Sequence, residues 1–272
     1  MPVTVGMVTR DSAERLGRSF VLVLRRVKRE VPFDRFILVD SSRLPATSQI
    51  ASAEVGAEVV KADCNRAVAR QTIIDMTRTE WLLFLDDDVL LDGGWFGPVS
   101  RLMEDESIGL IWGPMNKRQG STVNRSEAMR MFWREGSTTD TMLRMEALRG
   151  IRIPPFLHWR EDTFIRNYVL SRGYRCAVSP VGMVHLKGRG QIIADNSRVD
   201  VKLKWLCERY VGTYRPSAKR SLTSVIAILL DPASARWRLG WFRYYSNLYL
   251  PSGDIYSTLQ NIYKPRNQVG VK

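Results

Sequence analysis

Short, unbroken apolar runs alternate with amphipathic segments from Val3 to Gly113. An unbroken apolar run is typical of a strand buried on both faces, and such strands occur in parallel sheets that helices cover. The pattern therefore predicts an α/β fold, in which helices flank a mostly parallel, doubly wound sheet. The predicted strands are Val3–Val8, Phe36–Val39, Ala57–Lys61, Trp81–Leu85 and Ile108–Gly113, and the predicted helices between them are Ser12–Lys28, Thr47–Val55 and Asn65–Arg78.

Further along the chain the pattern is less regular. Residues 116–150 are polar and give no clear period. Asp162–Ser171 has helical spacing and ends before Gly173, a common helix stop signal. Tyr174–Val178 and Val181–His185 are predicted strands, and residues 187–200 are polar and glycine-rich, as in a loop.

The positive charge is concentrated at the C-terminus. The formal net charge is +13, and residues 201–272 carry twelve Lys and Arg residues against three acidic ones, interspersed with Trp and Tyr. A basic segment with aromatic residues is typical of a membrane interface, where anionic lipid adds about 1 kcal/mol per basic residue near the surface. The sequence therefore predicts two parts: a catalytic domain over 1–200 and a helical, basic aromatic extension over 201–272. The alternative is a helical subdomain that packs on the core, with its arginines in water.

The spacing of the cysteines and the lack of long apolar runs indicate where in the cell the protein acts. Cys64, Cys176 and Cys207 are far apart and form no CxxC pair, which argues against a disulfide framework or a zinc ribbon. The N-terminus has no secretory pattern, and the longest apolar run, Leu222–Leu230, is about half of a membrane span. We expect a cytoplasmic protein that is peripheral on the cytoplasmic face of a membrane.

Three consecutive aspartates, Asp86, Asp87 and Asp88, follow the apolar run Trp81–Leu85. Because successive strand residues point to opposite faces, such a triplet places at least two carboxylates near one point. Clustered carboxylates repel one another and are costly to desolvate unless a cation joins them, and oxygen ligands suit Mg²⁺ or Mn²⁺. Ligands of open parallel sheets bind at the carboxyl ends of the strands. The triplet therefore predicts a divalent-metal site; the alternative is a solvated acidic turn that caps a helix.

A second acidic pair, Glu161 and Asp162, opens the predicted helix Asp162–Ser171. Carboxylates in the first turn of a helix interact favourably with its dipole, so capping alone can explain the pair. The functional alternative is a general base that accepts a proton from an acceptor hydroxyl.

His185 ends a predicted strand, and Lys187 and Arg189 follow it in a glycine-rich loop. A neutral imidazole can complete a metal site, and Lys and Arg can hold a diphosphate. A single histidine is more often structural than a ligand, but the chain has only two, and this one precedes a loop suited to phosphate.

Together these motifs resemble the family 2 glycosyltransferases of the GT-A fold, over roughly Val3 to Gly190. Each motif is weak alone, and their order and spacing carry the resemblance. The matching residues are Val8–Asp11, Ile37–Ser42, Asn65–Gln71, Asp86–Asp88, Glu161 and Asp162 with Arg172–Tyr174, and His185.

The resemblance implies an inverting enzyme that transfers a sugar from a nucleotide-diphosphate donor with the help of Mn²⁺ or Mg²⁺. Thr9 and Asp11 would line the nucleotide pocket, Asp40 would contact the base or ribose, and Arg70 would lie near the donor.

The resemblance also implies roles at the metal and at the acceptor. Asp86 and Asp88 look like the DxD pair that grips the diphosphate through the metal, and Asp87 would share or replace one of these roles. His185 looks like an additional metal ligand, and Asp162, beside Glu161, looks like the catalytic base.

Two motifs depart from the family pattern. Val8-Thr9-Arg10-Asp11 stands where the family often has Pro-Thr-Tyr-Asn, and no QxxRW motif follows residue 190, which argues against a processive polymerase. The acceptor side is therefore undefined. A membrane location would favour a lipid-linked acceptor such as a polyprenyl phosphate over a free glycan. Resemblance to polyprenyl-phosphate mannosyltransferases favours GDP-mannose, and UDP-sugars remain open.

Two other classes of protein fit part of the sequence. A nucleic-acid-binding protein would use the positive charge and the aromatic residues. We expect no nucleic-acid partner, since the charge lies at the C-terminus while the sheet carries an acidic triplet. A nucleotidyltransferase would also use paired aspartates and a metal, but no glycine-rich phosphate loop follows the first strand.

Overall fold

The computed structural model describes residues 1–114, 126–129, 139–155, 161–186 and 216–230, with positions 124, 132, 157, 239, 242, 243 and 246. Lys187, Arg189 and most of the 201–272 extension lie outside the described residues, and so does the predicted boundary near residue 200. The two-part organisation therefore stays a prediction.

Within the described residues, nine strands form two sheets. The strands are β1 (Val3–Thr9), β2 (Arg35–Asp40), β3 (Glu58–Lys61), β4 (Trp81–Leu85), β5 (Val89–Leu91), β6 (Ile108–Trp112), β7 (Asp140–Arg144), β8 (Arg175–Val178) and β9 (Met183–His185). The larger sheet has the order β3-β2-β1-β4-β7-β6-β8, and β5 pairs with β9 in the smaller one. In the larger sheet β7 alone of the described strands runs antiparallel to its neighbours. The predicted class, α/β with a mostly parallel sheet, is confirmed.

Helices lie on both faces of the larger sheet. They are α1 (Ser12–Leu16), α2 (Arg18–Glu30), α3 (Ala46–Val55), α4 (Arg66–Met76), α5 (Phe96–Met103) and α6 (Glu161–Ser171), with a 3-10 turn at Met145–Leu148. A further described helix is α7 (Ala218–Leu230). Alternate residues of β4 enter the two cores: Leu82 and Phe84 join the core that includes α4 and α6, whereas Leu83 joins the one that includes α2 and α5. Burial of a large apolar side chain contributes about 1.5–3 kcal/mol, so both cores hold β4 in place.

The structure corrects the predicted helix Ser12–Lys28. Gly17, with φ 53° and ψ −123°, ends α1 and begins α2. This conformation is strained for a residue with a side chain, and glycine adopts it freely. The break gives α1 its own direction, and α1 carries two of the side chains that reach the aspartate triplet.

Other differences concern short elements. The strands β5 and β7 and the helix α5 were not predicted, and the predicted strand Val181–His185 is shorter and pairs with β5 rather than in the larger sheet. In the described part of the chain, no helix combines the length and the apolar character that crossing a bilayer requires.

The carboxyl ends of β1, β2, β3 and β4 meet at one edge of the sheet, because these four strands are parallel. The antiparallel strand β7 begins at the same edge, with Asp140 opposite Leu85. In a sheet of this kind the edge at the carboxyl ends of the strands borders the ligand crevice. Most of the site residues predicted from the sequence lie along it.

Candidate active site

Asp40, the last residue of β2, has a fully buried side chain surrounded by donors. The Thr9 hydroxyl and the Ser42 backbone N–H each donate to Oδ1 at 3.0 Å, and the Ser42 hydroxyl donates to the same oxygen. The Lys61 ammonium lies 2.6 Å from Oδ2. Burial opposes ionisation of Asp40, but the hydrogen bonds from Lys61, Ser42 and Thr9 outweigh it and hold its pKa below the usual range. Asp40 is therefore an ionised carboxylate that ties three strand ends together.

Asp11 shapes the loop after β1. Its φ of 52° is the only positive value at a non-glycine residue in the described part of the chain. Asp is among the residues that tolerate the left-handed region best. Asp11 is held there by the Ser42 hydroxyl, which accepts from its N–H at 2.7 Å, and by the Arg43 N–H, which donates to its carboxylate at 3.1 Å. The loops after β1 and β2 are thus joined into one wall of the crevice.

Asp87, the middle aspartate, is bound by α1 rather than turned toward open solvent. The Ser12 hydroxyl and the Arg15 guanidinium both donate to its Oδ2. Burial raises the pKa of Asp87, while Arg15 and Ser12 oppose that change. These contacts fasten the start of α1 to the end of β4, and they already occupy the side chain that we expected to share a donor-binding role.

Asp88 faces His185 across 3.5 Å, measured from Oδ1 to Nε2. The pairing of β5 with β9 creates this proximity, because Val89 lies opposite His185 and the Leu186 N–H donates to the Asp88 carbonyl at 2.7 Å. Gly182 lets β9 approach the core, since a Cβ there would lie 1.9 Å from the Pro114 carbonyl oxygen. Two residues far apart in sequence are therefore brought together by backbone pairing.

The pair of Asp88 and His185 fits a divalent cation. Burial raises the pKa of Asp88 to about 6, and the nearby carboxylates of Asp87 and Asp86 add to the rise. His185 and Arg15 oppose this rise without cancelling it. Ligands bound to one small ion at about 2.1 Å lie roughly 3–3.5 Å apart, as these two atoms do. In the described residues no three His, Cys, Asp or Glu side chains converge on one point.

Asp86 is held by a buried arginine. Arg70, on α4, is 5% exposed, and its Nη2 lies 3.3 Å from Asp86 Oδ1. Its Nη1 lies 3.2 Å from Glu161 Oε1, an ion pair without hydrogen-bond alignment. The guanidinium also lies over the Phe84 ring, 5.5 Å from its centroid. Arg70 therefore bridges the triplet and the acidic pair at the start of α6.

The two residues of that pair differ in environment. Glu161 is 3% exposed, and burial raises its pKa to about 7, with Asp162 adding to the rise and Arg70 and Arg66 opposing it. Asp162 is half-buried, and its Oδ1 accepts from the Thr163 N–H at 2.6 Å. The more accessible Asp162 is the better placed of the two to meet an acceptor, while Glu161 is committed to Arg70.

Several residues at this edge were missed in the sequence, among them three with ionisable side chains. Lys61 ends the strand next to Asp40, and its position at a parallel strand end was an available signal. Arg15 reaches Asp87 from α1, the short helix that Gly17 separates from α2. Asp140 is fully buried beside Gly113, where an added Cβ would lie 1.8 Å from its Oδ2, and burial raises its pKa well above the usual range. Nothing in the sequence indicated that β7 begins there.

The predicted site residues fall into two groups within the described chain. Thr9, Asp11 and Asp40 form the wall after β1 and β2. The others surround the end of β4, and they are Asp86, Asp87, Asp88, Arg70, Glu161, Asp162 and His185. Their roles stay predictions.

Comparison with protein families gives one match for the first part of the chain. Residues 4–164 match the family model described as glycosyl transferase family 2. No curated protein sequence matches the chain.

Solved structures with a similar fold include three sugar transferases. TarS (residues 1–349) from S. aureus, in complex with UDP-GlcNAc, has a TM-score of 0.61 at 15% identity, over 86% of this chain and 73% of that one. The mannosyltransferase PcManGT from Pyrobaculum calidifontis, with GDP-Man and Mn²⁺, has a TM-score of 0.57 at 13% identity, over 96% of this chain and 73% of that one. Glucosyl-3-phosphoglycerate synthase from Mycobacterium tuberculosis, with Mn²⁺, UDP and glucosyl-3-phosphoglycerate, has a TM-score of 0.55 at 16% identity. The match covers 80% of this chain and 81% of that one. Against a longer TarS structure, the match spans 44% of that chain.

Proposed function

The chain belongs to glycosyl transferase family 2, with the GT-A fold, and from that membership we propose that it transfers a sugar from a nucleotide-diphosphate donor with inversion at the anomeric carbon. The observation that carries the proposal is the pairing of Asp88 with His185 at the carboxyl edge of the sheet, beside two more carboxylates. A buried acidic cluster at this edge is suited to hold a cation and, through it, an anionic donor.

The nucleoside half of the donor would lie against the wall formed by Thr9, Asp11 and Asp40. Asp40 has its oxygens occupied by Lys61, Ser42 and Thr9, so it would act mainly by keeping this wall rigid. The diphosphate would lie nearer to Asp86 and Asp87. Lys187 and Arg189 would neutralise part of its charge, because Lys and Arg form charge-assisted hydrogen bonds with phosphate.

Asp88 and His185 would hold Mn²⁺ or Mg²⁺. Asp86, the other predicted ligand of the DxD pair, is paired with Arg70 and would lie beside them at the diphosphate. When bound, the ion supplies a Lewis acid that stabilises the negative charge on the departing nucleoside diphosphate. The proteins of similar fold that were solved with Mn²⁺ are consistent with this choice of ion.

Asp162 would receive the acceptor's proton. The acceptor oxygen forms a bond to the anomeric carbon while the bond to the diphosphate oxygen breaks, and that bond's electron pair leaves with the nucleoside diphosphate. Attack from the opposite side inverts the configuration. With a phosphate acceptor, which is already ionised, Asp162 would orient the acceptor instead, so the size of its contribution depends on the acceptor class.

The donor proposal predicts nucleotide-dependent stabilisation. Purified protein is heated with Mn²⁺ and, separately, UDP, GDP, UDP-glucose, UDP-N-acetylglucosamine or GDP-mannose. Either the uridine or the guanosine nucleotides are expected to raise Tm by several degrees, because a ligand at one hundred times its Kd stabilises the native state by about 2.7 kcal/mol. GDP-mannose is our first choice of donor. Chelation of the metal is expected to remove the shift.

A different result in the same assay would overturn the proposal. If none of the nucleotides changes Tm while single-stranded DNA or RNA raises it, the positive charge serves nucleic acid and the family fold has been adapted to another role.

We also propose that the C-terminal extension places the enzyme on the anionic, cytoplasmic face of a membrane, where a lipid-linked acceptor lies within reach. In α7, Leu222 is 62% exposed and Ile226 is 47% exposed, four residues apart on one face. Lys219, one turn before Leu222, is exposed, and so is Arg220. An apolar stripe beside basic residues suits an interface between lipid headgroups and acyl chains.

Flotation with vesicles tests this membrane proposal. The wild type is expected to float with phosphatidylserine-containing vesicles and less with pure phosphatidylcholine, because anionic lipid attracts basic residues. Leu222→Ser with Ile226→Ser is expected to reduce flotation strongly. The matched control, Leu22→Ser with Leu44→Ser, removes two other exposed apolar side chains, 47% and 57% exposed, and is expected to float normally. Equal flotation of both double variants would refute a role for α7.

A further inference from the structure

Arg70 contacts two carboxylates that belong to different parts of the proposed reaction. Its two terminal nitrogens are divided between them: Nη2 lies 3.3 Å from Asp86 Oδ1, and Nη1 lies 3.2 Å from Glu161 Oε1. Asp86 follows β4, on the donor side, and Glu161 begins α6, directly before Asp162. The guanidinium thus spans the distance between the end of the central strand and the first turn of the helix that carries the proposed base.

Arg70 itself has little freedom to move. It is 5% exposed, and its neighbours on α4, Ala69 and Ile73, are buried in the core. Its guanidinium lies over the Phe84 ring of β4. At the start of α4, the Asn65 side chain caps the helix by accepting from the Val68 N–H at 3.1 Å. The Arg70 guanidinium is therefore fixed in position by the strand, by the helix and by the surrounding core.

The first turn of α6 has a polar anchor of its own. From Phe164 onward, α6 is held by apolar packing, with Phe164, Ile165 and Val169 buried in the core, and by the Arg166 guanidinium, which donates to the Phe132 carbonyl at 3.0 Å. At its start, the Glu161 side chain is 4% exposed and has the ion pair with Arg70. Arg66, the other nearby cation, acts on Glu161 through its field and forms no ion pair within the described residues. A shift of Glu161 would carry Asp162 with it.

We propose that Arg70 is a positioning residue: through Glu161 it fixes Asp162 at the correct distance from the Asp86 end of β4, and so from the sugar that is transferred. This inference rests on the proposed function, in which Asp162 meets the acceptor and Asp86 lies at the donor. The bridge needs a guanidinium, because its two nitrogens reach separate carboxylates at once, whereas a lysine presents a single nitrogen.

The test separates positioning from charge compensation. Arg70→Met is expected to lower Tm, because Glu161 is left buried without its cation. Arg70→Met with Glu161→Gln removes both charges, so Tm is expected to recover while turnover stays reduced, by about 10²-fold for a displacement of about 1 Å. Turnover is measured as release of nucleoside diphosphate from the nucleotide sugar that stabilises the wild type. Affinity for that nucleotide with Mn²⁺, measured by calorimetry, is expected to change far less than turnover does.

Arg70→Lys supplies the conservative comparison and is expected to give turnover between the wild type and Arg70→Met. The matched control is Arg149→Met with Glu146→Gln, the same substitutions at an exposed ion pair, and it is expected to behave as the wild type. A crystal structure of the Arg70→Met, Glu161→Gln variant shows directly whether Asp162 has moved.

Recovered turnover in that variant, or an Asp162 that stays within about 0.5 Å of its wild-type position, would show that Arg70 only compensates charge. Either result overturns the inference. Failure of the proposed function would look different: the wild type itself would bind no nucleotide sugar, and the crystal structure would still decide whether Arg70 positions Asp162.

Discussion

Asp88→Asn is expected to reduce sugar transfer by about 10³-fold and to abolish the Mn²⁺-dependent part of nucleotide binding, because loss of the cation removes several kcal/mol of transition-state stabilisation. The amide keeps the shape of the carboxylate and removes its charge. Turnover and the Tm shift with nucleotide, each measured with and without Mn²⁺, provide the check.

The same substitution is expected to leave the fold intact. Burial raises the pKa of Asp88 from 3.8 to about 6, so between these values the unfolded chain releases a proton that the folded chain keeps. Stability therefore falls as the pH rises through this window, and at pH values above about 6 the ionised Asp88 costs stability. Asp88→Asn should then be as stable as the wild type, or more stable, near pH 7.5. For the wild type, affinity for Mn²⁺ is expected to fall below pH about 6, where a proton competes with the ion.

Asp75→Asn is the matched control for this experiment. Asp75 is exposed on α4, where it contacts Gln71 and Arg152, and it lies outside the group of site residues. Wild-type turnover is expected. If Asp88→Asn also keeps its turnover and its response to Mn²⁺, the pair of Asp88 and His185 is not the metal site.

Asp162→Asn is expected to reduce kcat by about 10²–10⁴-fold with a hydroxyl acceptor, the usual contribution of a positioned general base. Donor affinity is expected to change little, since an interaction made only in the transition state affects kcat more than binding. Single-turnover rates with saturating donor measure the effect. Because Asp162 is half-buried and Glu161 is paired with Arg70, Glu161 is not expected to substitute for it.

The size of this effect also reports on the acceptor. A phosphate acceptor is ionised before it binds and needs no proton removed, so a loss of tenfold or less with Asp162→Asn would indicate such an acceptor. Asp75→Asn again serves as the control. Unchanged turnover with a hydroxyl acceptor would exclude Asp162 as the base.

The sequence predicted those parts of the fold that depend on local pattern. The runs Phe36–Val39 in β2 and Trp81–Leu85 in β4 are apolar without interruption, and a run of this kind is typical of a strand buried on both faces. In contrast, β7 contains Asp140, Thr141 and Arg144, all of which are buried. Arg144 is accommodated by backbone carbonyls of Ile108 and Met103 and by the Trp81 ring, none of which is near it in sequence. No local pattern can predict such a strand.

The position of the site could be predicted from the sequence, but most of the contacts within it could not. Asp40 and the Asp86–Asp88 triplet were identified because they follow apolar strands, and parallel strands bring their carboxyl ends together. Their partners depend on tertiary structure: Arg15 reaches Asp87 from a helix that Gly17 redirects, and Arg70 reaches both Asp86 and Glu161 from the inside of α4. The structure therefore adds what the sequence lacks: it shows which carboxylates are paired with a cation of the protein.

The pairing of β5 with β9 also has a consequence for synthesis on the ribosome. His185 follows Val89, its partner, by 96 residues, so the pairing must wait until the chain has been made and released beyond β9. Domains form as the chain emerges, and early contacts are those near in sequence. Until then the nascent chain holds Asp88 without its histidine. With Asp88 and His185 as the proposed metal ligands, we expect the metal to bind late, and chains interrupted before β9 to be inert even where β1 to β4 have already paired.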